Sequence, residues 1–365
     1  MKTMLDSLIE RIAALQSTGD ATYVAGLFPS QRLKKELNYL REDSNIFFTA
    51  ITIFTLQEIR SSLSGRSQQI VDDITDKAAS TYPLYQNKHG LATYNFYQTQ
   101  PSHHFPNGRI MHRTQHFKLP DDVDDTVMIY LITPRSQEEH LWLKAKLRAH
   151  ANTIKGLSKT GPLAFRKQKI YSTWFGEKMP IDFDASTLSN VMLWVFRNQL
   201  PLDEFDQNVL EFIAYSIRSG DYRERPLEVS AYYATTPLIM YHVGRLLAEV
   251  PVLSDCKPLL IRDMKAWKSE TFMDQLMLAT TLLRLGEDPG EVIPAHWTFE
   301  TLLEQSRHHY FSIAPILNYY PQTRWLTHWK LSHINWECPA HSLALVAEYL
   351  VLKQQRNANS NFPKD

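Results

Sequence analysis

The 365-residue chain has only two cysteines, Cys256 and Cys338, and neither sits in a metal-ligand spacing. A disulfide framework is thereby excluded, and a reducing compartment is expected. Charge of one sign is lacking too: Lys+Arg and Asp+Glu are equal at 39 each, so no net field draws in nucleic acid or an acidic membrane. The most apolar window, residues 46–56, is too short to span a bilayer. Residues Met1-Lys2-Thr3-Met4-Leu5-Asp6 place charge where a signal peptide needs an apolar run. A cytoplasmic protein without a transmembrane segment is expected, with peripheral membrane contact left open. Glycine is scarce at 12 residues, and sustained apolar–polar alternation is absent, which predicts an all-α chain. The chain has no Walker loop, dinucleotide fingerprint, His-Glu-x-x-His or Gly-x-Ser-x-Gly.

What the chain has is aromatics, 12% of all residues, and a recurring helical unit. Six segments are apolar nearly all round: 47–59, 125–132, 187–196, 236–248, 272–285 and 341–352. Helices with that pattern are buried on every side. Amphipathic segments such as 68–82, 137–149, 204–218 and 298–307 lie between them. A ring of six inner helices inside six outer ones, an α/α toroid, satisfies this alternation. It is favoured over a superhelical stack of helix pairs, which would show a near-constant repeat length. One domain over residues 1–353 is expected, followed by a disordered tail at 354–365. The connection 82–120 is rich in Tyr, Phe and His, from Tyr82 to His116 and Phe117, and is expected to pack over one end of the ring.

Four carboxylates fall within five positions, Asp121, Asp122, Asp124 and Asp125, directly before an apolar run. They repel one another unless they bind a cation, share protons, or stand in open water as a helix cap. Capping accounts for one or two of them. Every buried segment opens with polar or small residues, among them Asp182-Phe183-Asp184, Tyr232-Tyr233 and Trp336 to His341. In a toroid these starts meet at one mouth. The expected cavity wall is Trp174, Phe175, Phe183, Trp194, Tyr232, Tyr233, Trp329 and Trp336. Ring faces with carboxylates at the rim suit an apolar substrate that becomes cationic, or a sugar.

The stretch Asp122-Val123-Asp124-Asp125-Thr126 resembles the class II terpene cyclases. Their signature is Asp-x-Asp-Asp, commonly followed by Thr, at the start of an inner helix of an α/α toroid. The family includes squalene–hopene cyclase and copalyl diphosphate synthase types. The resemblance implies that Asp124 donates a proton to an alkene or epoxide, held protonated and aimed by Asp122 and Asp125. The implied substrate is a prenyl-derived apolar molecule, and the implied chemistry needs no cofactor. Full class II cyclases usually pair two such domains, and this length allows one. Asp121-Asp122-x-x-Asp125 also satisfies the magnesium-binding pattern of class I prenyl-diphosphate enzymes, so magnesium enters only if a diphosphate is bound. The second metal motif of that class is missing.

Further residues complete the candidate set. His341 could tune the acids across the ring, and Asn190 is a buried polar group needing a partner. Asp121, Asp182, Asp184, Tyr232, Tyr233 and Trp336 are candidate substrate contacts. Asp124 with Asp182 or Asp184 would form the carboxylate pair of a carbohydrate-active toroid. A non-catalytic toroid binding a lipid or protein is the third reading. Arg223 and Arg225 could meet a phosphate, and His308-His309 reads as a wet face.

Overall fold

Segments that are apolar all round form helices, and polar side chains start them. The computed structural model describes residues 3–108, 111–114, 118–176, 179–308, 311–313, 322–323, 325–326, 329 and 333–360. His116, Phe117, His309 and residues 361–365 therefore lie outside it. The first part of the chain forms α1 (Met4–Leu15), β1 (Ser30–Lys34), β2 (Tyr39–Asp43), α2 (Phe47–Ile59), α3 (Gly65–Ala79) and α4 (Tyr82–Tyr85). A small hairpin follows, β3 (Gln98–Thr99) and β4 (Ser102–His103), and then α5 (Val123–Ile132), α6 (Gln137–Ala149) and α7 (Ala185–Arg197). Next come α8 (Glu204–Ser219), α9 (Asp221–Glu224), α10 (Pro226–Val229), α11 (Thr236–Glu249) and α12 (Lys257–Ala266). The remainder is α13 (Phe272–Arg284), α14 (Phe299–Gln305), β5 (Phe311–Ile313), β6 (Ile334–Glu337) and α15 (Pro339–Ser360).

The chain is mostly helical. Capping boxes start α1 (Thr3 with Asp6), α6 (Ser136 with Glu139) and α8 (Asp203 with Asp206), each satisfying two otherwise orphaned backbone N–H groups. Gly220 ends α8 at φ 78°, a left-handed geometry that glycine adopts without steric cost. The six segments expected to be buried are α2, α5, α7, α11, α13 and α15. Their packing forms a cycle: α2 on α5, α5 on α7, α7 on α11, α11 on α13, α13 on α15, and α15 back on α2.

Several of these helices begin at one end and finish at the other. Near the start of α2, the Phe47 ring lies 5.9 Å from Tyr233, just before α11, and Phe48 lies 6.3 Å from His341 in the first turn of α15. At the far end Arg197, the last residue of α7, bonds both Glu58 of α2 and Glu249 of α11. Gln57 of α2 there donates to the carbonyl of Ile132, the last residue of α5.

Where α11 crosses α13, a Cβ on Gly244 would lie 2.1 Å from Thr281 Cγ2. Thr281 cannot swing away cheaply, because its hydroxyl is bonded to the Met277 carbonyl at 2.8 Å. Gly244→Ala is therefore expected to destabilise the fold by about 1–3 kcal/mol through overpacking. Urea unfolding reads this directly, and an unchanged midpoint would contradict the close crossing.

One feature adds to the all-α expectation, and one boundary needs correction. A four-stranded antiparallel sheet, in the order β2-β1-β6-β5, accompanies the helices. Its strands are three to five residues long, and β1 meets β6 across some 300 positions, as in Arg32 with Trp336. Strands that short leave no alternation to detect. The C-terminal segment is also helical through Ser360 rather than disordered from residue 354. Polar residues in it have partners elsewhere in the fold: Gln355 donates to Ser62 at 2.9 Å, and Arg356 to the Gly286 carbonyl at 2.7 Å.

Candidate active site

The acidic run enters as extended chain. Asp122 N–H donates to the Tyr94 carbonyl at 2.8 Å, and Val123 N–H to the Thr173 carbonyl at 3.0 Å. The run is thereby clamped between two loops. Gly176 allows that approach, since a Cβ there would sit 2.4 Å from Pro120 Cγ. The four carboxylates then divide by role. Asp121 points away from the helix and accepts from Asn87 and Thr93, both at 2.5 Å, so its work is to fasten the loop. Asp122 is the N-cap of α5, accepting from the N–H groups of Asp124 at 2.6 Å and Asp125 at 3.1 Å.

Asp124 and Asp125 turn inward. Asp124 Oδ1 accepts from Asn190 Nδ2 of α7 at 2.7 Å, and its Oδ2 accepts from the Tyr233 hydroxyl. The residue is 7% exposed, and both of its carboxylate bonds are buried. Asp125 is fully buried, and neither carboxylate oxygen has a hydrogen-bond partner among the described residues. An unpaired buried carboxylate is costly, so such a group keeps its proton.

The electrostatics follow that geometry. Burial pushes the Asp122 carboxyl up to about 8, with the Asp124 charge adding to it. Burial likewise raises Asp124 to about 6, against the pull of the Tyr233 and Asn190 hydrogen bonds and of Arg245. Asp125 is held well above the usual carboxylate range by burial and then by its two acidic neighbours. Asp184 is raised by burial as well, despite the bonds it accepts.

Behind Asp124 lies a second layer. Asn190 Oδ1 accepts from Arg245 at 2.5 Å and lies 3.3 Å from His242 Nδ1. Arg245 is 1% exposed, and its guanidinium carbon stands 4.6 Å from the Phe54 ring centre and 5.7 Å from that of Tyr241. Tyr233 packs edge-on against Phe47 at 5.9 Å and His242 at 4.6 Å. The site thus draws on α2, α5, α7 and α11. The sequence reading passed over Arg245 and His242, whose signal was two cationic types inside a helix otherwise apolar all round.

Other expected residues are placed differently. Asp184 caps α7: its carboxylate accepts from the N–H groups of Ser186 and Thr187, the Ser230 hydroxyl and the Tyr232 N–H, all at 2.8–3.0 Å. Asp182 turns to the neighbouring loop and accepts from Thr160 at 2.7 Å. Tyr232 is half-buried and its hydroxyl accepts from the buried Trp174 indole at 2.7 Å. Trp336 lies in β6, where its indole donates to Asp43 at 2.6 Å. Asp43 also binds Arg32, Tyr97 and Asn45, a buried hub that stitches the sheet to the start of α2.

His341 lies in the first turn of α15 with the Phe48 ring as its neighbour. Trp194 leaves the expected cavity wall, because its indole donates outward to His140 of α6 at 3.0 Å. Phe183 faces Phe212 of α8, and Trp329 is exposed. Arg223 pairs with Asp263, and Arg225 with Asp221 and Glu228. Among the described residues no three His, Cys, Asp or Glu are grouped to hold a metal ion. No described helix is long and apolar enough to cross a membrane. Compared with known proteins, the chain matches no family model, no curated protein and no solved structure.

Proposed function

We propose that this protein is a class II terpene cyclase-like enzyme in which Asp124 starts cyclisation of a prenyl-derived apolar substrate by protonating a double bond. In this reading the cycle α2-α5-α7-α11-α13-α15 is the inner barrel of an α/α toroid, with α1, α3, α6, α8, α12 and α14 as its outer layer. One observation carries the proposal. A nearly sealed carboxyl, raised to about 6, stands at the helix-start end of the cycle, oriented through both oxygens by Asn190 and Tyr233. An acid that must protonate carbon has to rest in the protonated form, and burial among other carboxyls supplies that bias. The Tyr233 ring, whose hydroxyl bonds the acid, and the Phe47 ring packed on it are the aromatic surface that this reading offers a developing cation. Magnesium has no part in the proton step; a diphosphate on the substrate would be its only reason to enter.

The carbohydrate-active reading asks for a second carboxylate free to act as base or nucleophile. Asp184 has its oxygens engaged by four donors and Asp182 accepts from Thr160, which favours the cyclase reading over this one.

The test is product analysis in D2O with a panel of linear polyprenyl alcohols, diphosphates and squalene-type alkenes, run with a metal chelator. Proton-started cyclisation introduces one solvent deuterium at the attacked alkene carbon, and the ring system closes by losing a proton elsewhere or adding water. Diphosphate stays on any substrate that carries it. Cyclic products without solvent deuterium, or no conversion across the panel, would overturn the proposal.

A further inference from the structure

We infer that Arg245, acting through Asn190, is a positioning residue that fixes the side of Asp124 from which the proton leaves, namely Oδ2. This rests on the reading of Asp124 as proton donor. A guanidinium has five donors and no acceptor. Its bond to Asn190 at 2.5 Å therefore fixes the amide oxygen on the Arg245 side. The amide nitrogen must then face Asp124 Oδ1, 2.7 Å away, and it can only donate. The Tyr233 hydroxyl, at Oδ2, can donate to the ionised acid or accept from the protonated one. A proton arriving on Asp124 leaves the Asn190 bond intact at Oδ1 and is accommodated at Oδ2. The reacting carbon must accordingly approach the Oδ2 side, where the Tyr233 hydroxyl sits.

Arg245 is suited to hold this orientation. It is buried, wedged between the Phe54 and Tyr241 rings, and its other terminal nitrogen has no hydrogen-bond partner among the described residues. Its charge also opposes the carboxylates around Asp124. The ionisable groups facing Asp124 are Asp122 and Asp125 on α5, Asp184 at the start of α7, and Tyr233, His242 and Arg245 on the α11 side. From α2 the neighbour is Phe47, which does not titrate.

The experiment is a carboxyl-carbon NMR titration of the substrate-free, aspartate-labelled protein, with the Asp124 signal identified by its loss in Asp124→Asn. Arg245→Gln and Asn190→Ala are each expected to raise the Asp124 midpoint by about one unit. The double variant is expected to raise it by less than the sum, because both act on one chain of contacts. If Arg245→Gln does not fold, Asn190→Ala, which leaves Arg245 in place, carries the test. Infrared spectra below the midpoint add the atom assignment: Asn190→Ala should shift the carbonyl stretch of protonated Asp124 upward, since its carbonyl Oδ1 loses a donor. Unmoved midpoints, strict additivity, or an unshifted carbonyl band would overturn the inference. No substrate is involved, so such a result leaves the donor role of Asp124 standing, and loss of that role leaves this titration readable.

Discussion

Asp124→Asn is expected to lower cyclisation by at least about 100-fold, the lower end of what a positioned general acid contributes, while circular dichroism and the thermal midpoint stay at wild-type values or rise. The amide fills the same space and can still meet Asn190 and Tyr233, but it has no acidic proton to give. Removing a carboxyl from a site shared with Asp122, Asp125 and Asp184 also relieves repulsion, so no folding penalty is expected. In the wild type the competent form is the protonated acid. Turnover limited by proton transfer should therefore be level below about pH 6 and fall about tenfold per unit above it. A variant that cyclises at the wild-type rate, or a rate that climbs through pH 6, would remove Asp124 from the chemistry.

The second large effect is on stability. Asp122 and Asp124 hold protons in the folded protein up to about 8 and about 6, whereas an unfolded chain releases them near 3.8. Between those values the folded state binds more protons than the unfolded one. The stability tied to those protons is fully present below the unfolded value and is lost as pH rises through the folded ones. Asp122→Asn isolates the contribution of one acid, because asparagine caps a helix as well as aspartate does. Variant and wild type should unfold alike near pH 4. The variant should gain progressively toward pH 8, by an amount on the order of a few kcal/mol. Guanidinium unfolding at several pH values measures the gap, and parallel curves would mean that Asp122 is not held neutral by the fold.

Much of this arrangement was legible in the sequence, for a physical reason. Helices buried on all sides lose the polar face that ordinary helices show, so 47–59 and 236–248 could be distinguished from 137–149 by composition alone. The inward turn of Asp124 was legible because four adjacent acids exceed what a cap requires. Its partners were harder to read. Asn190 was visible as an isolated amide in an apolar helix, but its contact with Asp124 is a tertiary fact 66 residues distant. Arg245 looked like a blemish in α11 rather than a member of the site. The strands were illegible because each is too short to carry a period, and β1 meets β6 across most of the chain. Trp336 was visible as a residue just before α15, but its strand pairing with Arg32 and its bond to Asp43 were not.

Arg197 gives the ring a floor. By drawing Glu58 and Glu249 together at the ends of α2, α7 and α11, it sets charge at the end opposite Asp124. In the proposed cyclase, a product kept from that end would leave by the way its precursor entered. Exit then competes with entry, and the kinetic mark of such a blind vestibule is competitive inhibition by the enzyme's own product.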